Sequence, residues 1–289
     1  MPISCRELDQ QEFPSQLREI PQPPQTLYVA GELFPSEDSV LLTVVGARKH
    51  SPYGREVCEM LIAGLAGYDI TIVSGLALGI DTIAHESALK AGLHTIAVPG
   101  SGLAEHVLYP RNNLGLAKRI LDAGGALLSE YAPDTKAALW TFPQRNRIMA
   151  GLSKATLLIE AEEKSGTLIT ARMATDYNRD VFAVPGSILS PLSDGPNRLI
   201  TLGATPIRSS EDILLALGFS IEENTAQLAI DFSQLSDAEQ QVMEALTSPK
   251  GRDALIEELS LTVSGGNILL MKMEIAGLIK ETGMGLMRA

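Results

Sequence analysis

The middle of the chain alternates two periodicities. Short runs of β-branched and aliphatic residues, apolar at nearly every position, are separated by stretches of about 15 residues whose apolar positions recur every three to four. A run that is apolar on both faces predicts a strand covered on both sides, and the amphipathic stretches predict the covering helices. LLTVVGA (41–47), ITIVSGLA (70–77), HTIAVPG (94–100), ALLSEY (126–131), KATLLIEA (154–161) and VFAVPGS (181–187) therefore read as six strands. YGREVCEMLIAGLAGY (53–68), IDTIAHESALKAG (80–92), NLGLAKRILDAGG (113–125) and SGTLITARMATDYNRD (165–180) read as helices between them. NRLITLGA (197–204) adds a helix, TPIRS (205–209) a last strand and SEDILLALG (210–218) a closing helix. Strand–helix alternation of this kind specifies an α/β fold with a mostly parallel, doubly wound sheet.

The rhythm is lost at both ends. The head contains PQPPQT and a short strand-like LYVAG, and proline spacing of this kind predicts an extended lead-in. FSIEENTAQLAIDFS (219–233) is acidic and polar and reads as a linker. After it, LSDAEQQVMEALTS, DALIEELSLT and NILLMKMEIAGLIKETGMGLMRA give three helical patterns, the size and order of a winged-helix-like module. The organisation predicted is a lead-in over residues 1–35, a sheet domain over 36–218, a linker over 219–233 and a small module over 234–289.

Composition then narrows the function classes. With 45% hydrophobic and 20% charged residues in 289, the chain has the make-up of an ordinary globular protein. No apolar run approaches the roughly 18–20 residues that span a bilayer, and the start lacks a secretory pattern. Two cysteines, Cys5 and Cys58, make no disulfide framework. The expectation is a cytoplasmic protein with reduced thiols and no membrane partner. The net charge of -12 argues against a polyanionic ligand only until it is divided along the chain. Residues 1–40 carry -5 and residues 216–289 carry -6, which leaves 16 basic against 17 acidic side chains in 41–215. The acid is at the ends, and a local basic groove in the middle is compatible with the total.

In a doubly wound sheet the ligand crevice lies beyond the carboxyl ends of the strands. Those ends are rich in small residues here: Gly46 followed by Arg48 and Lys49; Ser74, Gly75 and Gly79; Gly100, Ser101 and Gly102 followed by Arg111; and Ser165, Gly166 and Thr167 opening a helix. Glycine lets backbone N–H groups approach an anion, and a helix N-terminus adds donors and a favourable dipole. Neither GxGxxG nor GxxxxGK[ST] occurs, so no dinucleotide or P-loop site is indicated. FPQRNRIMAGLS (142–153) places Arg145, Asn146 and Arg147 at the mouth of a helix, a second basic cluster on the same edge. Arg48, Lys49, Arg111, Asn112, Asn113, Arg145, Asn146, Arg147 and Lys164 thus gather at these loops, with Tyr53, Tyr109, Trp140 and Phe142 beside them. Arginine grips phosphate with paired hydrogen bonds, and rings beside cations suit a groove for single strands. Asp81, Glu130 and Glu160 lie near strand ends and His85 stands one turn after Asp81, yet no nucleophile elbow or metal-ligand spacing accompanies them. No catalytic, metal or cofactor site is predicted.

VVGARKHSPYG, SGLALGIDTIAHESAL, VPGSGLAEHVLYPRNNLGL, LLSEY, FPQRNRIMAGLS, IEAEEKSGTLITARMA and VFAVPGS, in this order, resemble the DprA (Smf) family of DNA-processing proteins across about residues 25–215. The resemblance implies an extended Rossmann-like domain that binds single-stranded DNA and forms a homodimer. It implies a non-enzymatic role: protecting incoming strands in natural transformation and loading the RecA recombinase on them, with single-strand-binding protein as a further partner. By motif position it places DNA-contacting basic residues at Arg48 and Arg111 and a pocket wall at Gly75, Arg145, Asn146 and Arg147. With Gly46, Lys49, Asn112, Lys164, Ser165, Gly166 and Thr167 these make the predicted DNA site. A C-terminal winged-helix-like domain is familiar in that family, but here the module is acidic and reads as an interaction piece. The competing reading is a nucleotide-processing enzyme similar to the phosphoribohydrolases, which have a related fold and a PGGxGTxxE motif. The corresponding EKSGTLITA carries Thr170 where the glutamate would stand.

Overall fold

In the central strands of the first compact unit, successive side chains point to opposite faces, and both faces are buried. A computed structural model describes residues 3–34, 36, 39–220, 235–246, 248–276, 278–282 and 285–288. The chain divides into two units, residues 1–221 and 222–289.

The first unit runs β1 (Arg6–Glu7), α1 (Ser15–Arg18), β2 (Tyr28–Gly31), β3 (Val40–Val45), α2 (Pro52–Ala63), β4 (Ile70–Ser74), α3 (Ile80–Lys90), β5 (Thr95–Ala97), α4 (Leu114–Asp122), β6 (Ala126–Ser129), α5 (Thr141–Leu152), β7 (Ala155–Leu158), α6 (Thr167–Asp176), β8 (Asp180–Ala183), α7 (Asp194–Thr201), β9 (Thr205–Pro206) and α8 (Ser210–Leu217). The strands form one sheet in the order β1-β2-β6-β5-β4-β3-β7-β8-β9. From β6 to β9 across the sheet every pairing is parallel. The chain builds outward from β3 to β6, returns through α5, and builds outward again from β7. The reversal between β3 and β7 is the switch point at which open α/β sheets bind ligands.

Alternation along the strands sorts the core into two faces. Leu42, Val44, Ile72 and Leu157 pack with Cys58, Leu61 and Ile62 of α2, Ile80 and Ile83 of α3, and Ile213 and Leu214 of α8. Leu41, Val45, Val73 and Leu158 point the other way, against Leu17 of α1 and Ile148, Met149 and Leu152 of α5. At the β6 end, Ala97 and Leu127 meet Leu116, Ala117 and Ile120 of α4. Among the described residues, no single helix is long and apolar enough to cross a membrane.

The strands end earlier than the apolar runs do. Leu76, Val98, Ile159 and Ala161 leave the ladders yet are 0–1% exposed, because they plug the base of the loops that follow. The head also differs from an extended lead-in. β2 pairs antiparallel with β6, and β1 pairs antiparallel with β2, so residues 6–31 complete one edge of the sheet. Leu8, Phe13, Leu17, Ile20, Leu27 and Val29 are buried in its core.

The second unit comprises α9 (Asp237–Ala245), α10 (Arg252–Glu258), α11 (Val263–Ile275) and the antiparallel hairpin β10 (Ile279–Thr282) and β11 (Gly285–Arg288). Val242, Met243, Leu246, Leu255, Ile256, Leu270, Met273, Ile279 and Leu286 form its own core. Residues 267–289 read as one helix in sequence, whereas the helix stops at Ile275 and the chain turns back as a hairpin, with Gly285 at φ +116° against the Lys250 carbonyl. Most of the segment read as a linker, residues 221–233, lies outside the described residues.

Candidate functional site

A cavity of about 470 Å³ opens over the carboxyl ends of β3 and β7. Its walls come mainly from three places distant in sequence, the turn Gly46–Lys49 after β3, residues 142–149 of α5 and the start of α6 from Ser165, with Ala77, Asp81 and Leu192 completing them. Gly46, Arg48, Lys49, Arg145, Asn146, Ser165, Gly166 and Thr167 all line it, so eight of the thirteen residues singled out in sequence meet in one place. Arg48 and Lys49 are exposed and form no ion pair among the described residues.

Arg145 is not at the mouth of its helix, as the sequence pattern suggested, but in its second turn, and only 5% exposed. Its Nη1 donates to Gly75 O at 2.6 Å and to Val98 O, and its Nε donates to Asn146 Oδ1 at 3.2 Å. A cation spanning the ends of β4 and β5 from inside the protein costs desolvation, and burial pulls its pKa down to about 10. Asp81 acts in the opposite sense on Arg145. Burial in turn pushes the Asp81 carboxyl above its usual range, against the pull of Arg145 and of the Ala77 and Gly75 N–H groups. Gly75 fits between these charges because it has no side chain: a Cβ would stand 2.5 Å from Arg145 Nη1 and 2.6 Å from Asp81 Oδ2.

The basic turn after β3 is held by stacking. The Arg48 guanidinium lies 5.3 Å above the Phe142 ring, which meets the Tyr109 ring at 5.6 Å. Gly79 closes this turn from below, at φ +86° with the Ala47 and Arg48 carbonyls where a Cβ would be, a position only glycine fills without strain. Ser51 caps α2 by accepting the Gly54 N–H, and Glu160, 1% exposed, accepts the Ser51 N–H at 2.9 Å. Glu160 thereby fixes the start of α2 rather than offering a carboxylate to a ligand.

The start of α6 is less generous than its sequence implied. Thr167 N–H is taken by Ser165 Oγ, Leu168 N–H by Ser165 O and Ile169 N–H by Gly166 O. The hydroxyl hydrogens of Ser165 and Thr167 go to Thr167 Oγ1 and Gly46 O. This terminus contributes a polar wall and dipole, while the mobile donors come from the basic side chains.

Five of the residues singled out stand apart from the cavity wall. Gly75 lies behind Arg145 in a small adjoining hollow. Arg147 points away from the cavity: its Nη2 pairs with Glu130 and its Nη1 donates to Gln22 O, so it braces the head against α5. Arg111 is exposed and donates to Glu105 O, Asn112 beside it is exposed, and Lys164 is an exposed loop residue beyond the rim. Sequence reasoning missed the supports of the 75–77 turn. Asp81 Oδ2 accepts from Gly75 N at 3.1 Å and Ala77 N at 3.3 Å, and Asn113 Nδ2 reaches Leu76 O at 2.7 Å and Thr82 Oγ1 at 2.8 Å. Asn113, placed among the DNA-facing polar residues in sequence, is 5% exposed and holds backbone. His85, one turn after Asp81, bonds through Nδ1 to Thr95 Oγ1 at 2.7 Å on the α3 side of the sheet. The apolar part of the wall, with Pro143, Met149, Ile169 and Leu192, had no sequence signal, since such residues read as core. Thr170 also lines the cavity, where the hydrolase reading needs a glutamate.

Residues 5–218 match the family described as DNA recombination-mediator protein A. The chain is 44% identical over 213 residues to Protein Smf of Escherichia coli (strain K12), covering 74% of this chain and 56% of that protein. It is 41% identical over 213 residues to DNA processing protein DprA of Bacillus subtilis (strain 168), covering 74% and 69%. Among solved structures, DNA processing protein A from Streptococcus pneumoniae superposes with a TM-score of 0.66 at 42% identity, over 75% of each chain. The Helicobacter pylori protein, described for its unique single-stranded DNA binding mode, superposes with a TM-score of 0.65 at 31% identity, over 74% of this chain and 96% of that one. The chain spans a little over half the length of the Escherichia coli relative.

Proposed function

The chain belongs to the DNA recombination-mediator protein A family, and from that premise we propose that it binds single-stranded DNA at the switch-point cavity and delivers the strand to a recombinase. The observation that carries the reading is the convergence of Arg48, Lys49, Arg145 and Asn146 on one cavity within the near-neutral middle of an acidic chain. Arg48 and Lys49 are the free cations that take phosphate, and Arg145 with Asn146 forms the polar floor beneath the nucleotide. No residue is assigned a catalytic role. Binding through phosphates is tolerant of sequence, as protection of incoming DNA in transformation and loading of RecA on it require. The partners proposed are single-stranded DNA, RecA, single-strand-binding protein and a second copy of the chain. The three helices and hairpin of residues 235–288 are proposed as a winged-helix-like interaction module, its acidic balance being unsuited to a phosphate backbone.

The test is a salt titration of labelled oligonucleotide binding. Each phosphate neutralised contributes about 0.7 to the log–log slope for a single strand. Two or three engaged cations give a slope of about -1.5 to -2, and Arg48→Glu flattens it by about one unit or more. A slope near zero would remove the cavity as a phosphate site.

A further inference from the structure

Trp140 is 61% exposed, although it sits at the start of a well-anchored helix. Its ring meets Tyr131 edge to face, with centroids 5.8 Å apart and planes at 86°, a contact that covers at most one of its faces. The support is rigid. Tyr131 is 8% exposed and donates through its hydroxyl to Thr141 O, while Thr141 Oγ1 accepts the Ala138 N–H and lies 2.6 Å from Gly100 O. An indole held out to solvent on a fixed base is already ordered before anything binds, so little rotamer entropy is lost when a flat partner lands on it.

Its place along the sheet edge says which partner. Trp140 stands by Tyr131, just past the end of β6, and the cavity lies over β3 and β7. β5 and β4 lie between β6 and β3, so the Arg48 turn after β3 is three strand spacings of about 4.8 Å, or about 14 Å, away, with Phe142 of the cavity wall nearer. Two residues on from Trp140, Phe142 lines the cavity and carries the Arg48 guanidinium on its face, with Tyr109, 44% exposed, against its ring. A track of exposed rings leading to free cations is complementary to a strand that carries flat bases on an anionic backbone.

We propose that Trp140 is a separate stacking station for the strand held in the cavity, reached two to four nucleotides away from the Arg48 turn along the edge. The inference rests on the single-strand reading of the cavity. A strand rises at least about 3.4 Å per nucleotide, so about 14 Å admits roughly four nucleotides when stacked and fewer when drawn out.

Trp140 is the only tryptophan in the chain, so the emission of the full-length protein reports on this ring alone. Oligothymidylates of two, five and ten nucleotides are the probes. The dinucleotide competes with a labelled decanucleotide for the cavity and leaves the emission unchanged, whereas the five- and ten-nucleotide strands quench it and shield it from acrylamide. Trp140→Ala weakens the decanucleotide by about five- to a hundredfold, the range for loss of one base–aromatic stack, and leaves dinucleotide competition unaltered. Trp140→Phe recovers most of the loss. Unchanged emission with bound decanucleotide, or wild-type affinity in Trp140→Ala, overturns the proposal and leaves the ring to a protein partner. Full quenching by the dinucleotide overturns the spacing by putting the ring inside the cavity's own footprint. Absence of binding at every length overturns the cavity reading, and this inference with it.

Discussion

Two residues along an α-helix turn the side chain by about 200°, so Arg145 and Arg147 leave α5 on opposite sides. That rotation alone separates a cavity residue from a brace, and substitutions should separate them again. Arg147→Ala strands Glu130, 9% exposed at its side chain and already pushed upward in pKa by burial. Loss of one partner of a buried pair costs about 3–5 kcal/mol, to be read in urea unfolding, with oligonucleotide affinity of the folded fraction retained. Arg48→Glu should show the reverse, an unchanged urea midpoint with affinity lowered about tenfold or more, since each mobile cation lost also reduces the salt slope. Gly75→Ala is expected to lose binding and stability together, because its Cβ displaces Arg145 and Asp81 at once. A Gly75→Ala protein that binds as tightly as the wild type would show that this arrangement does not set the site. The basic cluster is legible in FPQRNRIMAGLS, but the resemblance puts both arginines on the pocket wall, whereas the i, i+2 relation sets them on opposite sides of the helix.

At the level of elements, α3 carries a pH dependence into the core. His85 is 0% exposed, and burial holds it neutral, its pKa brought down to about 3. The unfolded chain takes up a proton near the ordinary value of about 6.5 that the folded chain refuses. Stability from this group is therefore full above about pH 6.5 and is lost as pH falls toward about 3, at no more than about 1.4 kcal/mol per pH unit. Raised carboxyls at Asp81 and Glu130 act the opposite way, destabilising at neutral pH and recovering as pH falls, so the clean measurement is a difference. Melting curves of wild type and His85→Gln between pH 7 and 4 should converge as the pH drops. Parallel curves would mean the histidine is not held neutral by the fold. Element existence was readable because parallel strands buried on both faces write continuous apolar runs, and LLTVVGA and ITIVSGLA could hardly be anything else. Element ends were not, since residues such as Leu76 and Ile159 continue the apolar run into loops that are themselves buried. YVAG was too short to announce that it seals a sheet edge, because antiparallel pairing with β6 is a long-range fact with no local periodicity.

For the whole molecule, each unit has a core of its own. A chain ended after residue 221 should melt cooperatively and bind oligonucleotide with the full-length salt slope; loss of binding would assign part of the site to residues 222–289. The parallel sheet and its loops supply the proposed site, but the sheet is closed at one side by a strand from the head. Tyr28 to Gly31 pair with Ser129 to Ala126, about a hundred residues downstream. At about 5–20 residues per second, a ribosome that has released Tyr28 needs roughly 5–20 s more before its partner strand emerges. Throughout that interval Leu8, Phe13, Leu17 and Leu27 lack part of their core, namely Ala126 and Leu128 of β6 and Ile148, Met149 and Leu152 of α5. The head is thus synthesised before its partner strand and among the last elements to dock. The Arg147 strut to Gln22 is the latch set at the end of that wait, which makes nascent-chain handling, and not only final stability, a quantity this small N-terminal edge controls.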